Sequence, residues 1–461
     1  MAVHMLRRMD TAGHPDDFDL PKSRYGFGVS WDAAPGRPKV DIDLQCVVVD
    51  NVGAIIDCAY YNNLKAVRAI THSGDEPTGA AAGIDELVWV NVPRLPENVA
   101  LLIFVVAAYS GGHLRDVVSG KLHVLEERKE NEIALFEMER SEASVDVVAA
   151  MFRGPTGTWT LRVIEEDAQE GQHFMDILPL LSEVVRVFIP NAPRRQKVAF
   201  AMEKGAVLDL PQDLNSITIG LGWDTDEGEV DLDVSAVMLD ATARELETVF
   251  FGNLESKHGI AHSGDNLTGE GDGDDEQITA QLRLIGPDVH QIVFVINIYT
   301  PKIDFRRVAN PYCRVVDNAS ANELCRYSLR EAGHENGLIV SKIAREAGGR
   351  WGFHALGLPC RGRTYKDSLA QICQVCTQDT RGLLQRGGTV MDCGSVHHAM
   401  PHGYGTGVHS GGPSGHGDAA PPVYAVPVQA APHAAAGAGM APSAPPRPSG
   451  GTAHKESCSV Q

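Results

Sequence analysis

Residues 262–276 read His-Ser-Gly-Asp-Asn-Leu-Thr-Gly-Glu-Gly-Asp-Gly-Asp-Asp-Glu, and six of the twelve residues from 265 onward are acidic. Two carboxylates ~4 Å apart repel by about 4 kcal/mol at an effective dielectric near 20. A loop built this way needs a multivalent cation to hold one shape. Carboxylates mixed with the backbone carbonyls that glycines expose are the donor set of calcium, which takes six to eight oxygens. Asp231 and Asp233 stand at i and i+2 of an expected strand, so their side chains share one side of a sheet. The loop carrying Asp265, Asp272, Asp274, Asp275 and Glu276 can close over them, giving carboxylates for one or two ions. The loop is not an EF-hand. That motif wants oxygen side chains at loop positions 3 and 5 and glycine at position 6, where this chain has Leu267, Gly269 and Glu270.

A shorter version of the same wording, His-Ser-Gly-Asp-Glu-Pro-Thr-Gly-Ala-Ala-Ala-Gly-Ile-Asp-Glu, occupies residues 72–86. Offsets of 190–192 residues carry one copy onto the other over a long stretch, so the chain is an internal duplication. Ser30-Trp31-Asp32 falls on Gly222-Trp223-Asp224, Asp41 and Asp43 on Asp231 and Asp233, and Tyr60-Tyr61 on Phe250-Phe251. Ala82 and Ile84 stand where the second copy has Asp272 and Asp274. Each module is roughly 165 residues, an ordinary domain length.

The formal charge of −20 argues against a nucleic-acid partner, which would need a basic face. Most of the excess is local. Residues 224–276 carry sixteen acids against Arg244 and Lys257, a net of −14, and residues 32–86 carry nine against four, a net of −5. No run of eighteen apolar residues spans a membrane, and residues 1–19 lack the apolar segment of a signal peptide. Nine cysteines at irregular spacing form no disulfide framework and fit a reducing, cytoplasmic setting.

Short stretches rich in Val, Ile, Tyr and Phe, bounded by Gly, Asn, Asp and Pro, predict strands throughout residues 25–356, with helical periodicity scarce. The expected fold is all-β, with two tandem β-sandwich modules at 24–190 and 197–369. A flexible stretch 1–23 precedes them, and 190–196, Pro-Asn-Ala-Pro-Arg-Arg-Gln, reads as a linker between separable modules. A Cys-containing segment follows at 370–399, with a short helix expected over 368–385. Residues 400–461 are a Gly/Pro/Ala/His-rich tail too poor in apolar surface to offset its chain entropy, and are expected to be disordered.

Cys360, Cys373, Cys376, Cys393, His397 and His398 are zinc-ligand types, but one Cys-x-x-Cys without a second is a weak signal. The ending Cys458-Ser-Val-Gln461 fits a prenylation box, which predicts lipidation of Cys458 and contact with a membrane surface. The sequence shows no Ser-His-Asp ordering, phosphate loop or His-Glu-x-x-His, so no catalytic residues are expected. His72 and His262, each followed by a Ser-Gly turn, read as structural.

The wording Gly222-Trp-Asp224, Asp231-Leu-Asp233, the acidic loop 262–276, Val293-Phe-Val-Ile-Asn-Ile-Tyr299, Tyr312-Cys-Arg314 and Trp351-Gly-Phe-His-Ala-Leu-Gly357 resembles the TerD family of tellurium-resistance and stress-response proteins, here in tandem. That family includes cAMP-binding-protein homologues of slime moulds. The resemblance implies a β-sandwich that binds calcium through these acids, with no established catalytic activity. It carries the ligand set onto the first module as Asp41, Asp43, Asp75, Asp85 and Glu86. Because Ala82 and Ile84 replace two carboxylates there, calcium is expected mainly in the second module. The expected function is a non-enzymatic calcium-binding stress-response or adaptor protein with an unknown protein partner. A metal-dependent hydrolase or a cyclic-nucleotide module is the alternative, although no arginine in a glycine-rich loop supports the latter.

Overall fold

The computed structural model describes residues 3–33, 39–79, 83–109, 111–128, 131–154, 157–194, 197–225, 230–264, 273–329, 333–346 and 349–377. Each module is two stacked sheets. In the first, one sheet runs in the order His4–Met5, Glu132–Glu137, Val117–Glu126, Arg24–Ala33, Glu86–Asn91, Ile70–His72, Lys65–Ala66. The other runs Lys197–Val198, Ala54–Ala59, Ile42–Asp50, Val99–Ala108, Val145–Arg153, Trp159–Ala168, Phe18–Leu20. The second module repeats this plan. One sheet holds Phe200–Met202, Asn322–Ser328, Val308–Asp317, Ser216–Thr225, Glu276–Gln281 and Ile260–His262. The other holds Val207–Asp209, Trp351–Cys360, Gly337–Arg345, Gln291–Ile298, Leu232–Leu239 and Glu245–Val249. Strands fill most of residues 25–356, as the sequence predicts.

The first sheet of each module alternates. In Arg24–Ala33 the residues Tyr25, Phe27, Val29 and Trp31 turn into the core between the sheets, and glycines or polar residues turn out. The central strands of the other sheet do not alternate. Ile42–Asp50, Val99–Ala108 and Leu232–Leu239 are buried almost end to end. Their second face is covered by a helix, which explains unbroken runs such as Leu-Leu-Ile-Phe-Val-Val. Helix α1, Leu178–Phe188, brings Leu181, Val184 and Val185 into the same buried cluster as Ile103, Val105 and Val147, and the Phe188 ring packs on Phe152 of Val145–Arg153. Helix α2, Tyr365–Thr377, packs Tyr365, Ile372 and Cys376 near Val293, Val295 and Ile339. Each such aliphatic side chain contributes about 1.5–3 kcal/mol on burial.

Two expectations change. The chain over 178–188, Leu-Pro-Leu-Leu-Ser-Glu-Val-Val-Arg-Val-Phe, is a helix that the strand-dominated reading missed, although its apolar residues recur at helical spacing. The expected helix over 368–385 begins earlier, at Tyr365, and is described to Thr377.

From Lys197 onward the chain packs on the first module. Lys197 and Val198 add a parallel strand to the first module's sheet beside Ala54 and Ile55. Val198, Phe200, Leu208 and Leu210 of the second module join the same buried cluster as Val47, Phe174 and Leu181 of the first. Tyr60 Oη donates to Val207 O (3.1 Å) and accepts from Asp209 N (2.9 Å). No helix among the described residues is long and apolar enough to cross a membrane. Cys458 and the tail lie outside the described residues.

Candidate metal centre

Asp43, Asp75 and Glu86 come from three elements to one place: an oxygen of each lies within 4.8 Å of the others. Asp43 is near the start of Ile42–Asp50, Glu86 opens Glu86–Asn91 in the facing sheet, and Asp75 sits on the loop after Ile70–His72. Glu86 ties the sheets together, its Oε2 accepting from Leu44 N (2.8 Å) and its Oε1 from Glu76 N (3.2 Å). His72 is enclosed beside it. Its Nδ1 accepts from Gly74 N (3.0 Å), which leaves the ring proton on Nε2 to donate to Leu44 O (2.9 Å). The same Nε2 stands 3.5 Å from Glu86 Oε2. His72 is therefore a strut that fixes the start of the loop. Gly79 lays the loop's end flat on Trp31: its φ is +57°, and a side chain there would meet the indole nitrogen at 2.4 Å.

Asp43 is 1% exposed, and its Oδ2 receives no hydrogen bond among the described residues. Burial pushes its carboxyl well above the usual range, and Glu86, Asp41 and Asp75 push it further. Asp41, two residues earlier on the same side, is pushed up to about 6, first by burial and then by Asp75 and Glu86. At an effective dielectric near 20, ionised carboxylates this close repel by roughly 3–4 kcal/mol per pair. An all-oxygen group under that strain suits a hard divalent cation. Asp85 is placed differently. Its Oδ2 accepts from Trp31 N (3.0 Å) and its own N donates to Val29 O (2.9 Å), which fastens the loop to the sheet edge.

The second module repeats the frame. Glu276 Oε2 accepts from Val234 N (2.7 Å) and lies 3.6 Å from His262 Nε2, whose Nδ1 accepts from Gly264 N (3.0 Å). Asp275 Oδ2 accepts from Trp223 N (2.8 Å), and burial raises its carboxyl, helped by Asp224 and Asp274. Asp233 is 5% exposed, and Asp231 N is bonded to Thr300 Oγ1 (3.0 Å). Asp265 and Asp272 lie outside the described residues.

Asp274 departs from its expected role as a ligand. Arg314 Nε and Nη2 donate to its two oxygens at 2.7 and 2.9 Å, and Tyr312 Oη adds a third bond at 3.0 Å. The carboxylate lies on Gly220, where a Cβ would meet it at 2.0 Å. Ile84 fills the same place over Gly28 in the first module. The change from Asp to Ile therefore removes an ion pair. It does not remove a ligand from the group around Asp43, and at this position the expected weakening of the first module has no structural basis.

One further arrangement was hidden in the sequence. Ser30 Oγ is 2.8 Å from His123 Nε2, and His123 Nδ1 is 2.5 Å from Glu132 Oε1. Only the repeat hinted at it, since the matching positions in the second module hold Gly222, Arg314 and Glu323. Cys360 and Cys376 are buried, Cys373 is half-buried, and the described residues do not gather them into a metal-holding group; Cys393, His397 and His398 lie outside those residues.

A family profile described as TerD domain matches residues 18–175 and again 198–375. Tellurium resistance protein TerZ of Serratia marcescens is 38% identical over 192 residues, covering 39% of this chain and 94% of that protein. Stress response protein SCP2 of Bacillus subtilis (strain 168) is 36% identical over 185 residues, covering 35% of this chain and 92% of that protein. Among solved structures, a homologue of telluride resistance protein (TerD) from Streptomyces coelicolor A3(2) matches with 21% identity and a TM-score of 0.31, over 36% of this chain and 98% of that one.

Proposed function

That the chain belongs to the TerD domain family is the premise from which we propose that it is a calcium-binding protein of the stress and chemical-resistance kind for which its relatives are named. The observation that supports this most is the Asp43, Asp75 and Glu86 group, with a buried Asp43 oxygen that receives no hydrogen bond among the described residues. In the second module Asp233 and Glu276 stand in the matching frame, with Asp231 and Asp275 at its edge.

The acids act as ligands and not as catalysts. Backbone amides hold Glu86 at both oxygens and reach one oxygen each of Asp85, Asp275 and Glu276, which fixes these carboxylates in place before an ion arrives. Calcium ordering the two loops is then the signal, read by a protein partner. Native mass spectrometry of the intact chain, freed of metal by a chelator and titrated with calcium, should show calcium bound in a defined number per chain. Magnesium, which demands a tighter octahedron, should not reproduce it. A chain that takes up no more calcium than its Asp43→Asn/Asp233→Asn variant would sink the reading.

A further inference from the structure

The outer face of the first module's alternating sheet carries a nucleophile, a base and an acid in one line. Ser30 is on Arg24–Ala33, His123 on the neighbouring Val117–Glu126, and Glu132 on the next strand, Glu132–Glu137. A carboxylate only accepts, so the 2.5 Å contact to Glu132 Oε1 puts the ring proton on His123 Nδ1. That leaves Nε2 as the acceptor for the Ser30 hydroxyl at 2.8 Å. Nucleophile to base to orienting acid, both links at hydrogen-bond reach, is the geometry by which a serine is activated whatever the fold.

Three other observations converge on Ser30. Lys121 is its direct cross-strand partner, so the ammonium stem rises on the same face beside the hydroxyl. The ladder slips between Val118 and Lys121, with Ser119 at φ +56°, so a bulge sits next to the serine. The imidazole and carboxylate keep access to solvent, with side chains 15% and 32% exposed.

The second module is a built-in comparison. Gly222 replaces Ser30, a Cβ there would meet the Tyr312 ring at 2.5 Å, and Arg314 replaces His123 and is spent on Asp274. With Ile84 in place of Asp274, both imidazole nitrogens of the first module are given to Ser30 and Glu132.

We propose that Ser30 is an activated nucleophile that takes an acyl group from small activated esters, with His123 as its base, Glu132 as the positioning acid and Lys121 facing the developing oxyanion. His123 Nε2 takes the hydroxyl proton as Ser30 Oγ bonds to the acyl carbon. The bond from that carbon to the leaving oxygen breaks, and the imidazolium returns the proton to that oxygen. Water then attacks the acyl carbon, giving its proton to the same nitrogen; the bond from that carbon to Ser30 Oγ breaks, the imidazolium returns the proton to Oγ, and the carboxylic acid leaves with the serine restored. None of the proposed calcium ligands takes part.

The test treats the full chain with a fluorophosphonate probe and, separately, with p-nitrophenyl acetate. Peptide mapping should place the label on Ser30, and Ser30→Ala should lose both the label and ester turnover. His123→Gln should slow labelling by about 100-fold or more, the usual contribution of a positioned base, while Ser119→Ala should label like the parent. Because a variant could lose its fold, Ser30→Cys supplies a second arm: its thiol should react with iodoacetamide faster than the thiol of Ser30→Cys/His123→Gln. An unlabelled parent, a label mapped to another residue, or equal rates with and without His123 would each overturn the proposal.

Discussion

Asp176 of the first module and Arg350 of the second form a two-pronged ion pair, Nη1 to Oδ1 at 2.9 Å and Nη2 to Oδ2 at 2.5 Å. Burial alone would raise the Asp176 carboxyl, and Arg350 outweighs it and holds the group below its ordinary value. Arg350 Nη1 also donates to Leu210 O (2.9 Å), and Asp176 accepts from Gln172 N and Gln212 N. The pair thus clamps the start of the second module onto the segment that leads into α1.

Removing one partner of a buried pair leaves the other charge without compensation, a loss of about 3–5 kcal/mol. Arg350→Ala should therefore lower the urea midpoint of the whole chain. The apolar double replacement Asp176→Leu/Arg350→Met should cost much less than either single change. If Arg350→Ala unfolds at the parent's midpoint, the clamp contributes nothing, and the modules are held by apolar contacts alone.

Asp209 gives the same interface a pH dependence. Its carboxylate accepts from Tyr61 Oη (2.8 Å) and Asn62 Nδ2 (2.8 Å), and burial, then Glu346, pushes it up to about 6 from an ordinary 3.8. The folded chain holds this proton more tightly than the unfolded chain does. Its stabilising contribution is thus complete below pH 3.8 and is lost as pH rises through about 6. Asp209→Asn does not titrate, so its stability relative to the parent should improve by about 2 kcal/mol between about pH 4 and pH 7.5. Thermal melts of both proteins across that range check it; parallel profiles would show that Asp209 stays ionised in the fold.

The strands and the repeat were legible because each is written locally, in β-branched runs and in wording that recurs at a near-constant offset. The module interface was not. Tyr60 and Asp209 are 149 residues apart, Asp176 and Arg350 174, and neither residue of either pair has a neighbour that marks it. The site was half legible. Acid-rich, glycine-rich wording identified the loops, and Asp43, Asp75 and Glu86 do meet. Composition cannot tell a carboxylate that faces other carboxylates from one that faces an arginine, which is why Asp274 read as a ligand. His123 and Ser30 went unseen because cross-strand partners carry no common spacing.

Asp274 can be separated from the ligands by experiment. Asp274→Asn keeps the shape over Gly220 but weakens the charged bonds from Arg314, so it should destabilise the chain by about 1–3 kcal/mol. Its calcium stoichiometry should match the parent's. Loss of a bound ion in this variant, counted by native mass spectrometry, would return Asp274 to the ligand set.

The first module should bind calcium in its own right. Asp43→Asn removes a carboxyl whose ionisation burial and the neighbouring acids oppose, so the calcium-free variant should melt above the parent. With calcium the order should reverse. At a free concentration a hundred times the dissociation constant, an intact site adds about 2.7 kcal/mol, and Asp43→Asn should lose one site's share together with one ion in the mass spectrum. Asp75→Asn, at a more exposed position, should lose the same ion with little change in the calcium-free melt. Asp85→Asn is the control, because one Asp85 oxygen is already bonded to Trp31 N and the residue stands apart from the three-carboxylate group; it should keep the parent's ion count. If Asp43→Asn and Asp75→Asn retain every ion that the parent binds, calcium resides in the second module alone and the first module's acids only shape its loop.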